Sequence, residues 1–396
     1  PSIAFTAFRH RHMTERILID DNQDALALAR ASYYGGRTEA YRLGTLTSPV
    51  VVYDVVSMYP AVMRDELMPT ILAGHYRKVN IPDVQELCQA SIVAADVTVT
   101  TEQPVIPWAH EGTLLFPVGT WRVSLIGAEL ELALDRGLVE RVHACAVYDR
   151  ANLFRGYVDE WHTRRQEAIA AGDLALSDFC KRMMNGLYGK FGQRGDVYER
   201  IGTVPRSLTR QWIEWDAETS TVHRYRAFAG LLSERTGATE SRDSHPAIAA
   251  TVTAAARVKL LRLIEAIGWE NVVYCDTDSL FVLPAGTDIA DSFTDETVLG
   301  ALKRERTISD LTIYGVKDYS VGGVRKTKGI RRNAENVSPN VYVQDTFIGL
   351  KGAVQLGDLR RQLIRRTTKR LNLTYHKGTV LSDRRIQPYR VGVDVS

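Results

Sequence analysis

Several things are scarce in this sequence, and each shortage removes a class of protein. The four cysteines (Cys88, Cys145, Cys180, Cys275) lie far apart with no C-x-x-C pair. That argues against a zinc ribbon or a disulfide framework. No apolar run approaches the ~20 residues that a membrane-spanning helix needs. The opening residues, Pro1-Ser2-Ile3-Ala4-Phe5-Thr6-Ala7-Phe8, lack a basic start and meet Arg9 too early for a secretory leader. Internal repeats and low-complexity stretches are missing too. A soluble protein of a reduced, cytoplasmic compartment, with no membrane partner, is expected. A start at Pro1 rather than Met fits a fragment or a processed product.

What is present is 396 residues, 45% hydrophobic and 24% charged, enough for a sizeable core in two or three layers or domains. The net charge of +3 hides an asymmetry. Residues 321–396 hold 16 Lys and Arg against five Asp and Glu, on an acidic remainder. A basic quarter fits either an anionic partner or a solvated basic helix.

Along the chain, Val50-Val51-Val52-Tyr53-Asp54 reads as a buried strand ending in an acid, and residues 92–99 as another strand. Residues 127–137 carry a helical pattern, 156–171 and 177–190 a helical hairpin, and 247–267 a long Ala/Leu helix. Residues 193–245 are polar, irregular in pattern and turn-prone, as an insertion would be. This non-alternating order predicts an α+β fold.

The most informative segment is Val272-Val273-Tyr274-Cys275-Asp276-Thr277-Asp278-Ser279-Leu280-Phe281-Val282. Two apolar strands flank Asp-Thr-Asp, which falls where the chain must reverse. Asp favours turns for its own hydrogen-bonding reasons, so a lone D-T-D is commonly only a turn. Here two acids cluster beside apolar strands, where unpaired burial is costly. A second acid, Asp54, ends another apolar strand in Asp54-Val55-Val56-Ser57-Met58-Tyr59-Pro60. Hard cations such as Mg²⁺ take oxygen ligands and leave room for substrate phosphates. A pair of them activates an attacking hydroxyl and stabilises leaving pyrophosphate. Asp54 and Asp278 are the candidates to hold two such ions.

In Asp178-Phe179-Cys180-Lys181-Arg182-Met183-Met184-Asn185-Gly186-Leu187-Tyr188, the residues Lys181, Asn185 and Tyr188 stand at i, i+4 and i+7. One helical face then offers a point charge, an amide and a flat ring. Such a stripe is often just a solvated face, but it also suits a nucleoside triphosphate. Arg164 and Arg165 on the preceding helix could face the same phosphates, and Arg165 is the preferred one.

With these residues in view, the chain resembles a family B DNA polymerase. Asp54-Val-Val-Ser-Met-Tyr-Pro60 is similar to the family's D-x-x-S-L-Y-P motif, and Lys181-Arg-Met-Met-Asn-Gly-Leu-Tyr-Gly189 to K-x-x-x-N-S-x-Y-G. Tyr274-Cys-Asp-Thr-Asp-Ser279 is similar to Y-x-D-T-D-S, Lys317-Asp318-Tyr319 to K-x-Y, and Tyr33-Tyr34-Gly35-Gly36 to Y-x-G-G. Leu115-Phe116-Pro117-Val118-Gly119-Thr120 resembles a further palm segment. The first five of these elements stand in family order from residue 33 to 319. Their spacing, with an insertion after the fingers motif, is most similar to that of protein-primed polymerases of phages and linear plasmids.

The resemblance implies a right-hand fold with an antiparallel-sheet palm, helical fingers and a basic thumb. It implies a lead-in at 1–45, palm at 46–150 and 246–320, fingers at 151–192, an insertion at 193–245 that raises processivity or does nothing, and a thumb at 321–396. It implies template-directed addition of dNTPs to a primer 3′-hydroxyl on a DNA template-primer. Two Mg²⁺ ions, with Mn²⁺ as a substitute, would be held by Asp54, the Val55 carbonyl and Asp278, with Asp276 in support. Tyr59 would exclude a 2′-hydroxyl from a nucleotide pocket shared with Ser57 and Met58. Lys181 and Arg165 would hold the triphosphate, and Asn185 and Tyr188 would shape the base-pair pocket. Tyr33, Tyr34, Gly35 and Gly36 would touch template. Lys317 and Tyr319 would touch the primer end, with Lys326 and Lys328 on duplex phosphates. A terminal protein, a nucleic acid or no primer at all remain open as starting points.

Two departures stand out. Gly186 replaces the family's usual Ser, and only 53 residues precede Asp54, with Asp20-Asp21-Asn22 in place of a D-x-E exonuclease motif. No proofreading is expected of this chain. A binding-only relative would have lost a carboxylate or the fingers Lys. A metal-dependent nuclease would have no use for Tyr59 or the Lys181 face, and reverse transcriptases place their two acids adjacent. His10 and His12 read as surface residues without acid partners, and Trp108, Trp121, Trp212 and Trp215 as packing residues.

Overall fold

The computed structural model describes residues 2–216, 221–241, 243–327, 329–331, 333–338, 340–347, 364–371 and 374–392. The chain forms two compact units. One comprises Pro1–Gly192, Asp243–Lys326 and Thr374–Ser396, the other Gln193–Arg242 and Thr327–Leu373.

The first unit is built around two five-stranded sheets. One has the order Thr38–Ala40, Val272–Asp276, Ser279–Val282, Val50–Val55, Leu302–Ile308, with antiparallel neighbours throughout. Its central strands read as continuous apolar runs because both faces are covered. Alternate residues part company: Val51, Tyr53, Val55, Leu280 and Val282 enter the largest core, whereas Val50, Val52, Tyr274 and Phe281 pack with Leu46, Ile308 and Ile313. The other sheet orders Arg390–Val391, Val118–Ile126, Ile92–Thr101, Val139–Ala151 and Met68–Arg77.

The helix Pro246–Ile267 runs through the middle of this unit. It is buried nearly all round, and its residues contribute to three of the four apolar clusters. That is what an Ala-rich helix with little amphipathic contrast is suited to. Helices Arg155–Ala170 and Leu174–Asn185 form the expected hairpin, reversing at Gly172 with φ +73°. The helix expected at 177–190 breaks before its end: it stops at Asn185 and resumes only at Tyr188–Phe191.

Two expectations are corrected. Residues 193–245 are not irregular, for most of them form a four-stranded antiparallel sheet of Arg194–Thr203, Leu231–Glu240, Thr221–Phe228 and Arg210–Asp216. Its two-residue turn puts Ala229 (φ +51°) and Gly230 (φ +86°) in the left-handed region that suits a tight hairpin. The C-terminal quarter is also not one piece. Ile364–Arg370 is a strand paired with Val341–Phe347 in the second unit, whereas Thr374 onwards belongs to the first. The basic stretch at 364–370 is therefore extended rather than helical, while Lys328 and residues 360–363 lie outside the described residues.

Candidate active site

The carboxylates meet because three strands lie side by side. Asp54 stands opposite Ser279 in the strand pairing, and Asp276 opposite the same Ser279 on its other side. The Val55 amide donates to the Asp278 carbonyl at 2.7 Å, and the Asp278 amide to the Asp276 carbonyl at 2.7 Å. Between the two acids Thr277 adopts φ +63°, and its amide donates to the Arg37 carbonyl at 2.7 Å. The turn is thus pinned by its backbone, without calling on the carboxylates of Asp54 and Asp278.

Their electrostatics differ. Burial pushes the Asp54 carboxyl up to about 7; Asp278 and Glu305 add repulsion, and Lys181 and Lys303 oppose it. Asp278 is also raised, by burial first and by Asp276 second, against its own backbone hydrogen bond, Lys317 and Lys181. Lys181 is the cation common to both. Asp276 is already provided for: it forms an ion pair with Lys317, and its Oδ1 accepts from Thr38 Oγ1 and Thr277 Oγ1 at 3.1 Å each. Asp54 and Asp278 form an all-oxygen pair lacking enough positive charge, a donor set that fits hard divalent cations. Among the described residues no group of three or more His, Cys, Asp or Glu is gathered for a metal. Two carboxylates plus substrate oxygens is a smaller protein share, as Mg²⁺ sites commonly have.

On the helical side Lys181 is exposed, and Asn185 turns its amide back to the Lys181 carbonyl at 2.9 Å. That local bond satisfies Asn185 within its own helix, which the i, i+4 reading does not foresee. Tyr188 lies past the helix break, yet its ring stacks on Tyr59 with centroids 4.5 Å apart and planes 27° from parallel. Burial raises the pKa of both phenols, so both remain neutral donors. Gly186 explains its own departure: a Cβ there would stand 2.9 Å from the Arg182 carbonyl, at the helix end. Arg165 is half-buried with no hydrogen-bond partner for its Nε. Its charge acts on His162 and Cys180 rather than among the causes that shift Asp54 or Asp278. Arg164 instead pairs with Glu160 at 2.8 Å over the Trp161 ring.

Ser57 caps the helix Met58–Asp65 in a left-handed conformation (φ +50°) without a side-chain cap bond, and Met58 is buried. Gly36 is held against the same site. A Cβ on it would come within 2.7 Å of Thr277 Cγ2 and 3.1 Å of the Tyr59 hydroxyl, so only glycine lets this segment pass so close. Tyr33 lies over Gly192, where a Cβ would meet its ring at 2.5 Å. Tyr34 donates to the Ser124 carbonyl at 3.0 Å.

Sequence reasoning missed what supports this segment. Arg257 donates to the Tyr34 and Gly35 carbonyls at 2.9 and 2.7 Å, and forms a two-pronged pair with Glu129 at 2.7 and 2.6 Å. Both side chains are 2% exposed. The available signal was Arg257 itself, the first cation to follow a long Ala/Thr run in Pro246–Ile267. Arg37 was missed too: fully buried, it donates to Glu39 at 2.6 Å and lies over the Phe116 ring at 4.0 Å.

Lys317 also takes a left-handed turn (φ +57°), its amide donating to the Tyr274 hydroxyl at 2.8 Å. Tyr319 packs edge-on to Phe281, with centroids 5.5 Å apart. Lys326 is exposed on the strand Val324–Thr327. His12 is not the partnerless surface residue expected, because its Nε2 lies 2.7 Å from Glu160 and its ring meets Tyr157 edge-on. Trp121 is a buried packing residue, as expected, and Trp212 packs on Tyr225.

The sequence matches the family described as DNA polymerase type B, organellar and viral, over residues 1–265. It is 28% identical over 306 residues to the DNA-directed DNA polymerase of Enterobacteria phage PRD1, covering 74% of this chain and 50% of that one. The DNA polymerase of Bacillus phage phi29 is 25% identical over 284 residues, covering 68% and 44%. A probable DNA polymerase of Neurospora intermedia is 24% identical over 336 residues, covering 81% and 33%. The chain spans half or less of the length of these relatives. Among solved structures, phi29 DNA polymerase complexed with primer-template DNA and incoming nucleotides superposes with a TM-score of 0.56 at 18% identity, over 94% of this chain and 59% of that one. The form complexed with single-stranded DNA gives 0.59 over the same shares.

Proposed function

Because the chain belongs to the organellar and viral type B DNA polymerases, we propose that it is the polymerising part of a template-directed DNA polymerase of the phage and mobile-element kind. The observation that carries this is the meeting of two acids on adjoining strands, with Asp54 opposite Ser279 and the Val55 amide on the Asp278 carbonyl at 2.7 Å, both carboxyls being raised by burial and opposed by the charge of Lys181. Such a site takes a metal-bound triphosphate.

In this reading the sheet containing Val50–Val55 and Val272–Val282 is the palm, the Arg155–Asn185 hairpin the fingers, and residues 321–396, with the basic strand Ile364–Arg370, the thumb. Asp54 and Asp278, with the Val55 carbonyl, hold divalent ions, Mg²⁺ in the first instance and Mn²⁺ as a substitute. When bound, the ions supply positive charge to the attacking hydroxyl and the departing pyrophosphate. This chain's own residues orient the reactants. Lys181 and Arg165, whose Nε has no hydrogen-bond partner, bind the triphosphate as charge-assisted donors. The Tyr59 ring, fixed by stacking on Tyr188, underlies the sugar and leaves no room for a 2′-hydroxyl, with Ser57 and Met58 setting its height and Asn185 at the pocket edge.

Asp276, neutralised by Lys317, supports the turn rather than the ion directly. Tyr33 to Gly36 guide the template, and Lys317, Tyr319, Lys326 and Lys328 contact the primer duplex. Rate enhancement then comes from positioning and preorganised charge.

The test is extension of a labelled primer on a DNA template with Mg²⁺ and dNTPs, wild type beside Asp278→Ala. Extension by wild type and none by the variant is expected. Wild type that binds duplex DNA but adds no nucleotide would overturn the reading. Replacing the DNA primer with a hydroxyl-bearing protein partner in the same assay identifies the natural primer.

A further inference from the structure

Beyond the polymerase motifs, the C-terminal residues 374–392 return to the first unit and close on the sheet edge that carries the acidic turn. The contacts are specific. The Tyr375 hydroxyl accepts from the Ala40 amide at 3.1 Å and donates to the Ala40 carbonyl at 3.0 Å. Lys377 Nζ donates to the Thr38 carbonyl at 2.8 Å. The Ile386 amide donates to the Tyr41 carbonyl at 2.9 Å, and the Leu43 amide to the Arg384 carbonyl at 2.9 Å. Further on, Arg390–Val391 pairs parallel to Val118–Gly119, where a Cβ on Gly119 would lie 2.1 Å from the Val391 carbonyl.

The strand gripped in this way, Thr38–Ala40, is the one paired with Tyr274–Asp276, with Thr38 opposite Asp276 itself. Thr38 Oγ1 donates to Asp276 Oδ1. A short path therefore runs from Lys377 through Thr38 to Asp276 and the turn. Lys377 is not a free surface cation. Burial lowers its pKa, Glu39 opposes that, and Arg37 and Lys317 stand close enough to repel it. Holding an ammonium there is unfavourable unless its hydrogen bond to Thr38 repays the desolvation.

We propose that residues 374–392 act as a strap that positions the Asp276-Thr277-Asp278 turn, and that Lys377 and Tyr375 are positioning residues for polymerisation. The proposal rests on the polymerase reading above. Lys377 does not touch a reacting atom. It fixes a three-residue edge strand that would otherwise slide or fray, because so short a strand has few ladder bonds of its own. Tyr375 fixes the same strand two residues along, since its hydroxyl occupies both backbone groups of Ala40.

The experiment measures single-nucleotide incorporation by wild type, Lys377→Met, Lys377→Arg and Tyr375→Phe, each as the full chain. Primer-template affinity, its salt dependence, Mn²⁺ binding by calorimetry and Tm are read in parallel. Lys377→Met should slow incorporation and weaken Mn²⁺ binding about tenfold, the scale for removing a group that orients a ligand. Its DNA affinity and salt slope should stay within twofold of wild type, and Lys377→Arg should restore most of the rate. Tyr375→Phe, which keeps the packing ring, should show a smaller loss of the same kind.

A weaker DNA affinity with a shallower salt slope would overturn the proposal in favour of a phosphate contact. Unchanged incorporation and Mn²⁺ binding in both Lys377→Met and Tyr375→Phe would overturn it outright. So would a loss that follows the unfolded fraction and is not rescued by arginine. Wild type that fails to extend any primer would instead bring down the polymerase reading itself, so the two failures are distinct.

Discussion

Asp54 with Asp278, and Glu129 with Arg257, are two acid-containing arrangements in one unit, and they have opposite characters. Glu129 and Arg257 are 2% exposed and matched: two ion-pair contacts through Nε and Nη2, with Nη1 on the Tyr34 and Gly35 carbonyls. Asp54 and Asp278 are half-buried, repel one another and have Lys181 as their common cation. The first is a strut, satisfied before any ligand arrives. The second is left short of positive charge, and so is stabilised by whatever cation or cation-bound substrate enters. Function lies where the folded chain leaves its charges unmatched.

The largest effect on this contrast comes from Asp278→Ala, which should cut incorporation by about 10³-fold or more while primer-template binding persists. Steady-state extension beside a filter-binding assay checks it. Next, Arg257→Met leaves Glu129 buried and unpaired, at a cost of about 3–5 kcal/mol in folding stability. Urea unfolding should show that, and the double change Arg257→Met with Glu129→Leu should recover much of it. Third, Lys181→Ala should raise the KM for dNTP by roughly 10- to 100-fold, the scale of a lost hydrogen bond to a charged group. Fluorescence titration with dNTP tests it.

The smallest effect sharpens the contrast through pH. The Asp54 carboxyl titrates at about 7 when folded, against an ordinary value of 3.8. A raised acid is neutral in both states below pH 4, so it costs nothing there. The penalty grows as pH rises from 4 to 7 and is complete above 7. In metal-free buffer Asp54→Asn should therefore stabilise the protein at pH 8 by on the order of 1–2 kcal/mol, after allowing for partial solvent screening, and not at pH 4. Adding Mg²⁺ or Mn²⁺ should raise the wild-type Tm and remove the variant's advantage. Thermal melts at both pH values, with and without the ion, decide it.

How far the site was legible follows from the same contrast. Asp54, Asp278 and Lys181 stand out in the sequence because each interrupts a strong local pattern: acids at the ends of apolar strands, a cation on a helical face. The long helix and the helical hairpin were legible from periodicity. Arg257 with Glu129 was not, because a cation at the end of an Ala/Thr run does not reveal a partner 128 residues away. The sheet of Arg194–Glu240 was hidden because its strands mix charged and apolar residues on partly exposed faces, so no clean alternation marks them. The strap was hidden for another reason. Its contacts are mostly to backbone groups of Thr38, Ala40 and Tyr41, and those carry no side-chain signature.

The pairing of Arg390–Val391 with Val118–Gly119 has a consequence for biosynthesis. Roughly 270 residues separate the two strands, so at the ~5–20 residues per second of translation the Val118–Gly119 edge waits about 15–55 s for its partner. Throughout that interval it offers unpaired amides and carbonyls to any neighbouring nascent chain. The acidic site has a similar delay, since Asp54 meets Ser279 only after more than 220 further residues have been added. The first sheet can therefore close only once Leu302–Ile308 has been made, and the second only once Arg390–Val391 has, so both edges are open to mispairing during synthesis.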